Sequence, residues 1–333
     1  MIFITGGTGL VGSHLLYNLT KEGKKVRALC RDTSSKEYVE KVFRFYSDEA
    51  TKLFSNIEWF EGDLHDYFSL LDALNEVDHV YHCAAMVSFK PSDAKEMFSN
   101  NVDGTANLVN ACIEKKVNRF CFVSSIATLG GSINGTPIDE TTFWQNDDNH
   151  SVYSQSKFQS EMEVWRGTKE GLNAIIVNPS VIIGPVELDR STGQLFKTMM
   201  KGTPFFTNGS TGFVDVRDVA AAMINLCNSN IANERFIING ENLLYKDFFT
   251  LGAKEFKVKP PRFRAGRILT GIAWRMERLK YYLFRTEPHF TKETARTSQH
   301  RSVYSDEKYQ KLFPTSRISI GEAILNTANY LRK

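Results

Sequence analysis

The sequence has no apolar run near the ~18 residues that a membrane span needs. It also has no CxxC pair, no internal repeat and no low-complexity segment. The first absence excludes a helical membrane span. The second, with five cysteines (Cys30, Cys83, Cys112, Cys121, Cys227) scattered mostly in apolar runs, excludes a disulfide framework and a cysteine metal site. These cysteines read as reduced core residues of a cytoplasmic protein. Charge of one sign is scarce too: the net is +3, which points to neither a nucleic-acid surface nor a bulk membrane-binding face. The first residues already read as a buried strand, so no signal peptide is expected there.

What is present is ordinary in bulk and unusual in arrangement. The 333 residues, 42% hydrophobic and 24% charged, suffice for one large α/β domain and a smaller lobe. The chain begins MIFITGGTGLVGSHL, with Gly6, Gly9 and Gly12 at steps of three. They follow a strand pattern and precede a helical one (Leu10, Val11, Leu15, Leu16, Leu19). Glycine lets the backbone turn tightly and approach a ligand. A helix N-terminus offers free N–H groups and a partial positive charge. In this strand–turn–helix context the arrangement suits a pyrophosphate, and an ordinary tight turn is the alternative.

Apolar runs suited to buried parallel strands recur at 1–5, 26–30, 57–61, 78–83, 119–124 and 173–178. Helical patterns lie near 9–22, 66–75, 92–116 and 151–169, with an extra one around 35–54. The expected fold is a Rossmann-type, doubly wound parallel sheet with helices on both faces. Its ligands would lie beyond the carboxyl ends of the strands. After Pro179 the rhythm changes. Residues 180–212 read as loops around a pocket with one helix near 192–201. A short strand is expected at Phe213–Val216, a helix at Asp218–Cys227 and a strand at Arg235–Ile238. This divides the chain into a dinucleotide-binding domain, 1–180 plus about 213–240, and a substrate-binding lobe, 181–212 plus about 241–333. Ile268–Phe284 mixes aromatic and apolar residues with Arg275, Arg278 and Lys280. Packing on the lobe is the simplest reading, and contact with a membrane interface is the other.

The end of the second strand should face the adenosine ribose. Arg31, with Lys36 nearby, would receive a 2′-phosphate bidentately and favours NADP. A slip of one residue would place Asp32 there and favour NAD. Asp63, followed by Leu64 at the end of the third strand, can accept the adenine amino group or cap the next helix.

Tyr153 and Lys157 stand four apart, on one face of a helix. A phenol titrates near ~10, and an adjacent ammonium lowers that value toward working pH, where general acid–base catalysis is most effective. The chain has two other Tyr-x-x-x-Lys pairs, Tyr17/Lys21 and Tyr304/Lys308. The central pair differs because an apolar strand ending in Ser124 and Ser125 precedes it. A hydroxyl there can donate to a substrate carbonyl; capping of the strand end is the alternative.

Taken together these motifs resemble the extended short-chain dehydrogenases/reductases. They are Thr5–Gly12, Gly62-Asp63, His82–Ala85, Asn101–Thr105, Val123-Ser124-Ser125, Tyr153–Lys157, Asn178–Ser180 and Val214–Val219. The resemblance implies a triad of Ser125, Tyr153 and Lys157, with Tyr153 as proton donor and Lys157 on the nicotinamide ribose. It implies cofactor contacts from Gly6, Thr8, Gly9, Leu10, Val11, Gly12, Ala84 and Ala85, and from Pro179, Ser180 and Val181 at the carboxamide. Asn101 would order the helix behind the site or simply cap it. A homodimer through the helices near 92–116 and 151–169 is a further implication.

Fold alone does not decide among reductase, epimerase and dehydratase. Ile126 and Ala127 stand where dehydratases carry an Asp-Glu pair. Ser210–Phe213 lacks the arginine usual in sugar-nucleotide epimerases. Asn178–Pro185 and Asp139–Trp144 look more like the dihydroflavonol-reductase and 3β-hydroxysteroid-dehydrogenase branches. Met86, Phe89, Phe143, Trp144, Phe205 and Phe206 would give the cleft an aromatic character, or else pack in the core. The expectation is an NADP(H)-dependent reductase of an aldehyde or ketone, with no nucleic-acid partner and no stable membrane insertion. An NAD-dependent nucleotide-sugar epimerase/dehydratase is the alternative. A non-catalytic NADP sensor is a third class, against which the intact triad speaks.

Overall fold

In β1 (Ile2–Thr5), Ile4 packs into one apolar cluster and its neighbour Phe3 into another, because successive side chains of a strand face opposite sides. The computed structural model describes residues 1–31, 36–88, 91–132, 135–145, 150–190, 192–284 and 290–333. Asp32 and Phe89 lie outside the described residues. From β1 the chain runs through α1 (Leu10–Lys21), β2 (Val26–Cys30), α2 (Lys36–Tyr46), α3 (Ala50–Ser55), β3 (Ile57–Glu61), α4 (Tyr67–Ala73) and β4 (His79–His82). It continues through α5 (Ala94–Phe98), α6 (Gly104–Glu114), β5 (Arg119–Val123), α7 (Val152–Lys169), β6 (Ala174–Pro179), β7 (Val181–Ile183), α8 (Gly193–Lys201), β8 (Phe205–Phe206) and β9 (Ser210–Asp215). It closes with α9 (Val216–Cys227), β10 (Glu234–Ile238), β11 (Glu241–Leu244), α10 (Tyr245–Glu255), β12 (Phe263–Arg264), α11 (Arg267–Phe284), α12 (Lys292–Thr297), α13 (Glu307–Leu312) and α14 (Ile320–Arg332).

Seven strands form one parallel sheet in the order β3-β2-β1-β4-β5-β6-β10. On one face Ile4, Cys121, Ile175 and Val177 meet Leu15 and Leu16 of α1 and Val219 and Met223 of α9. On the other, Phe3, Phe120, Phe122 and Ile176 meet Leu70 of α4, Leu108 and Val109 of α6, and Val164 of α7. Burying one such side chain stabilises by about 1.5–3 kcal/mol. Strands covered on both faces read as continuous apolar runs, which is why they are visible in the sequence.

The expectation of loops over 180–212 holds only in part. β7 pairs parallel with β9, and β9 pairs antiparallel with β11, in a small second sheet. Ile183, Phe196, Phe213, Phe248 and Ile324 form its apolar cluster. The helical pattern around 35–54 is two helices, α2 and α3. Among the described residues no helix is long and apolar enough to cross a membrane.

Candidate active site

The glycine turn is shaped by crowding at the carboxyl ends of β1 and β4. Gly6 has φ +67°, and a Cβ there would lie 2.5 Å from the Ala84 nitrogen. A Cβ on Gly12 would lie 2.2 Å from the Gly6 carbonyl oxygen. Gly9 caps α1 and is exposed, and no side chain caps that helix end. Thr8 and Leu10 are half-buried and Val11 is buried. The turn therefore presents an uncapped helix N-terminus to an anion. Ala84 and the exposed Ala85 follow β4, and the Ala84 N–H donates to Thr5 Oγ1 at 3.4 Å.

Arg31 is exposed immediately after β2. Lys36 opens α2 with its Nζ 5.3 Å from the Trp59 ring centre. Asp63 Oδ1 accepts from the His65 N–H at 2.8 Å. The cap of α4 is Asp66, which accepts from the Ser69 N–H at 3.1 Å, so the capping alternative for Asp63 does not hold. Leu64 lies under Gly104 of α6 and accepts from Asn107. The sequence reading missed Arg190, which donates to the Thr8 carbonyl at 3.4 Å and brings a cation to the turn. No motif marks it.

Ser125 leaves the end of β5 and its Oγ accepts from the Ala127 N–H at 3.1 Å. Tyr153, half-buried in the first turn of α7, places its hydroxyl against that of Ser125. Burial pushes the Tyr153 phenol above its ordinary value of 10, and the Ser125 hydroxyl offsets only part of this. Lys157 is buried and donates from Nζ to the Val123 carbonyl at 2.9 Å, over the Phe122 ring at 4.2 Å. Burial lowers its ammonium to about 8, against the upward pull of the Glu161 carboxylate. The expectation that Lys157 depresses the Tyr153 phenol is therefore corrected. The amine faces Val123 and Phe122, and desolvation governs the phenol.

A second buried group stands one turn beyond Lys157. Glu161 is fully buried. Its Oε2 accepts from Ser124 Oγ at 2.5 Å, Thr128 Oγ1 at 2.8 Å and Asn178 Nδ2 at 3.0 Å. Its Oε1 accepts from Trp165 at 3.3 Å and Arg235 at 3.4 Å. Thr128 and Asn178 also donate to the Ser125 carbonyl. Glu161 thus clamps the segment that presents Ser125, and Ser124 is committed to the clamp. The only local signal was a glutamate two turns after Tyr153 on the same helix face.

Asn101 is not a helix cap. It sits in a π-helical turn, Ser99–Asp103, between α5 and α6. Its side chain bonds both backbone groups of Met86, at 2.7 and 3.0 Å, and Ser156 Oγ at 3.0 Å. That ties the segment after β4 to the helix carrying Tyr153 and Lys157. Such π turns recur at functional sites.

Phe143 and Trp144 lie elsewhere than expected. Phe143 is exposed and Trp144 stacks on Phe158 at 4.5 Å. They line an open groove of about 1100 Å³ with Met162 and Arg235, and no member of the triad lines it. Phe205 is exposed and meets Phe263, and Phe206 lies under Lys246. The other Tyr–Lys pairs have structural partners: Tyr17 bonds the Tyr46 carbonyl and Lys308 pairs with Glu234.

The site fits a dinucleotide on this chain's own features. The uncapped turn has the form that receives a phosphate. At the end of β6, the Asn178 amide oxygen and, just past the strand, the buried Ser180 hydroxyl have no partner among the described residues, leaving polar capacity that a ligand can satisfy. Pro179 ends β6 and Val181 begins β7 on either side of Ser180.

Comparison with known proteins agrees. The model of the NAD dependent epimerase/dehydratase family matches residues 2–239. A putative dihydroflavonol 4-reductase of Synechocystis sp. is 30% identical over 248 residues, 72% of this chain and 68% of that protein. Sterol demethylase protein B of Methylococcus capsulatus is 31% identical over 241 residues, 72% and 69% of the two chains. The crystal structure of gox2253 shares 29% identity with a TM-score of 0.82, over 100% of this chain and 98% of the other. UDP-glucose 4-epimerase of Thermus thermophilus in complex with NAD shares the fold, with a TM-score of 0.74 at 21% identity over 99% and 98%. The chain belongs to the NAD dependent epimerase/dehydratase family and is an NAD(P)-dependent enzyme of the extended short-chain dehydrogenase/reductase type.

Proposed function

We propose that the protein is an NADPH-dependent reductase that converts an aldehyde or ketone to an alcohol, in the manner of its dihydroflavonol-reductase-like relatives. One observation carries the reading: the Ser125 hydroxyl meets the Tyr153 phenol, one helical turn from a buried Lys157. The phenol holds at neutral pH the proton that reduction of a carbonyl requires, although burial by itself makes it a weaker acid than a free phenol. Ser125 orients the carbonyl oxygen and Tyr153 gives it a proton. Lys157, still an ammonium below about 8, holds the nicotinamide ribose.

A bound nicotinamide dinucleotide supplies the hydride. Gly6, Thr8, Gly9, Leu10, Val11 and Gly12 receive its pyrophosphate, Asp63 and Leu64 its adenine, and Arg31 and Lys36 a 2′-phosphate. Ala84 and Ala85 lie along it, and Pro179, Ser180 and Val181 meet the carboxamide. The substrate lies between the sheet edge and residues from 181–212 and 241–333. Ile126 and Ala127, directly after Ser125, have no acid or base to offer a dehydration.

The test is loss of NADPH absorbance with purified protein across aldehydes, ketones and nucleotide sugars. Steady consumption with an aromatic or aliphatic carbonyl is expected. Sugar-nucleotide turnover without net consumption of cofactor would replace the reading by an epimerase.

A further inference from the structure

Helix α11 contradicts the simplest reading of its sequence. Ile268, Leu269, Ile272, Met276 and Leu279 are 83%, 41%, 49%, 56% and 58% exposed. At 3.6 residues per turn they share one arc of about 100°. Thr270, on the opposite side, is buried and held with Gln299, which also bonds the Ala265 carbonyl. The apolar stripe therefore faces away from the protein.

Charge flanks that stripe. Lys257, Lys259, Arg262, Arg264, Arg267, Arg275, Arg278 and Lys280 are all exposed. Between 257 and 280 these eight cations stand against one carboxylate, Glu277, a net of +7. The whole chain carries +3, so the remaining residues carry −4. Arg267, Arg275 and Arg278 border one edge of the apolar arc and Lys280 the other. Phe205 and Phe263, 47% and 63% exposed, pair with ring centres 6.3 Å apart just before the helix.

We propose that α11 and the basic segment before it dock on an anionic lipid surface, with the helix lying in the interface plane. A cation-flanked apolar face of moderate hydrophobicity is the form such helices take. The charge selects the occupant. A second copy seated face to face would set one +7 segment against another, whereas anionic headgroups complement it. The helix is too charged to cross the bilayer.

Cosedimentation of the full chain with vesicles tests this. Binding is expected to phosphatidylcholine–phosphatidylglycerol vesicles, weakly or not at all to phosphatidylcholine alone, and is expected to fall with added salt. Replacing Arg267, Arg275 and Arg278 by Gln should lower the partition coefficient on the order of 10²-fold. Ile272→Asp with Leu279→Asp should abolish binding. Circular dichroism and an unchanged thermal unfolding midpoint report that these variants fold. No sedimentation with either vesicle would overturn the proposal, as would binding that survives the Ile272→Asp/Leu279→Asp change. A soluble oligomer that Ile272→Asp dissociates would also overturn it and assign the stripe to a protein interface.

Discussion

Helices α7 and α11 are both 18 residues long, and each reverses the usual partition of charge and hydrocarbon. α7 turns Lys157 and Glu161 inward, where both are buried. α11 turns five apolar side chains outward. Ordinary helices do neither. The difference lies in what answers the exception. Each buried charge of α7 has several partners within the fold, whereas the apolar stripe of α11 has its complement outside. Departures from the common pattern mark function in both cases, internal chemistry in one and surface attachment in the other.

The contrast can be broken at its buried end first. Glu161→Ala should remove the common acceptor of five donors and destabilise the fold by about 3–5 kcal/mol, as expected for removing one partner of a buried charge network. A urea titration measures it, and an unchanged midpoint would mean that the clamp is not structural.

The next largest effect concerns buried histidines on the sheet and α1. Burial holds His82 down at about 3 and His14 at about 4. Below about pH 6.5 the unfolded chain takes protons that the folded chain refuses. Stability is therefore full above that pH and falls as pH drops, on the order of 2–4 kcal/mol by about pH 5. His82→Gln should flatten that slope; a slope as steep as in the unaltered protein would assign it to other groups.

At the cofactor end, Arg31→Ala should weaken NADPH binding about tenfold or more while leaving NADH binding nearly unchanged. Equal effects on the two cofactors would dissociate Arg31 from the 2′-phosphate. The smallest effect is on rate against pH. Lys157 loses its charge as pH rises through about 8, so reduction should slow severalfold above that point. Tyr153, pushed above its ordinary value, remains protonated there. A flat profile up to pH 10 would remove Lys157 from the chemistry.

The legible parts of this molecule were local ones. The glycine steps, the apolar strands and the i, i+4 pair each depend on neighbours within a few residues; the structure sets the Tyr153 hydroxyl against Ser125 and turns Lys157, one turn further along α7, onto the Val123 carbonyl. Glu161 was not legible because its partners, Ser124, Thr128, Asn178 and Arg235, arrive from three other segments. The small sheet escaped for the same reason, since β7, β9 and β11 are short and distant in sequence. Phe143 and Trp144 were misplaced because aromatic composition does not say which side of α7 a loop covers. The direction of the Tyr153 shift was misjudged because spacing fixes which residues are near, while desolvation depends on everything around them.

The proposed reduction depends on Tyr153 as the proton donor. The most direct measurement is the turnover of Tyr153→Phe with saturating NADPH and the best carbonyl substrate. A loss on the order of 10²-fold or more, with NADPH affinity retained, is the expected result. Turnover near that of the unaltered enzyme would contradict it.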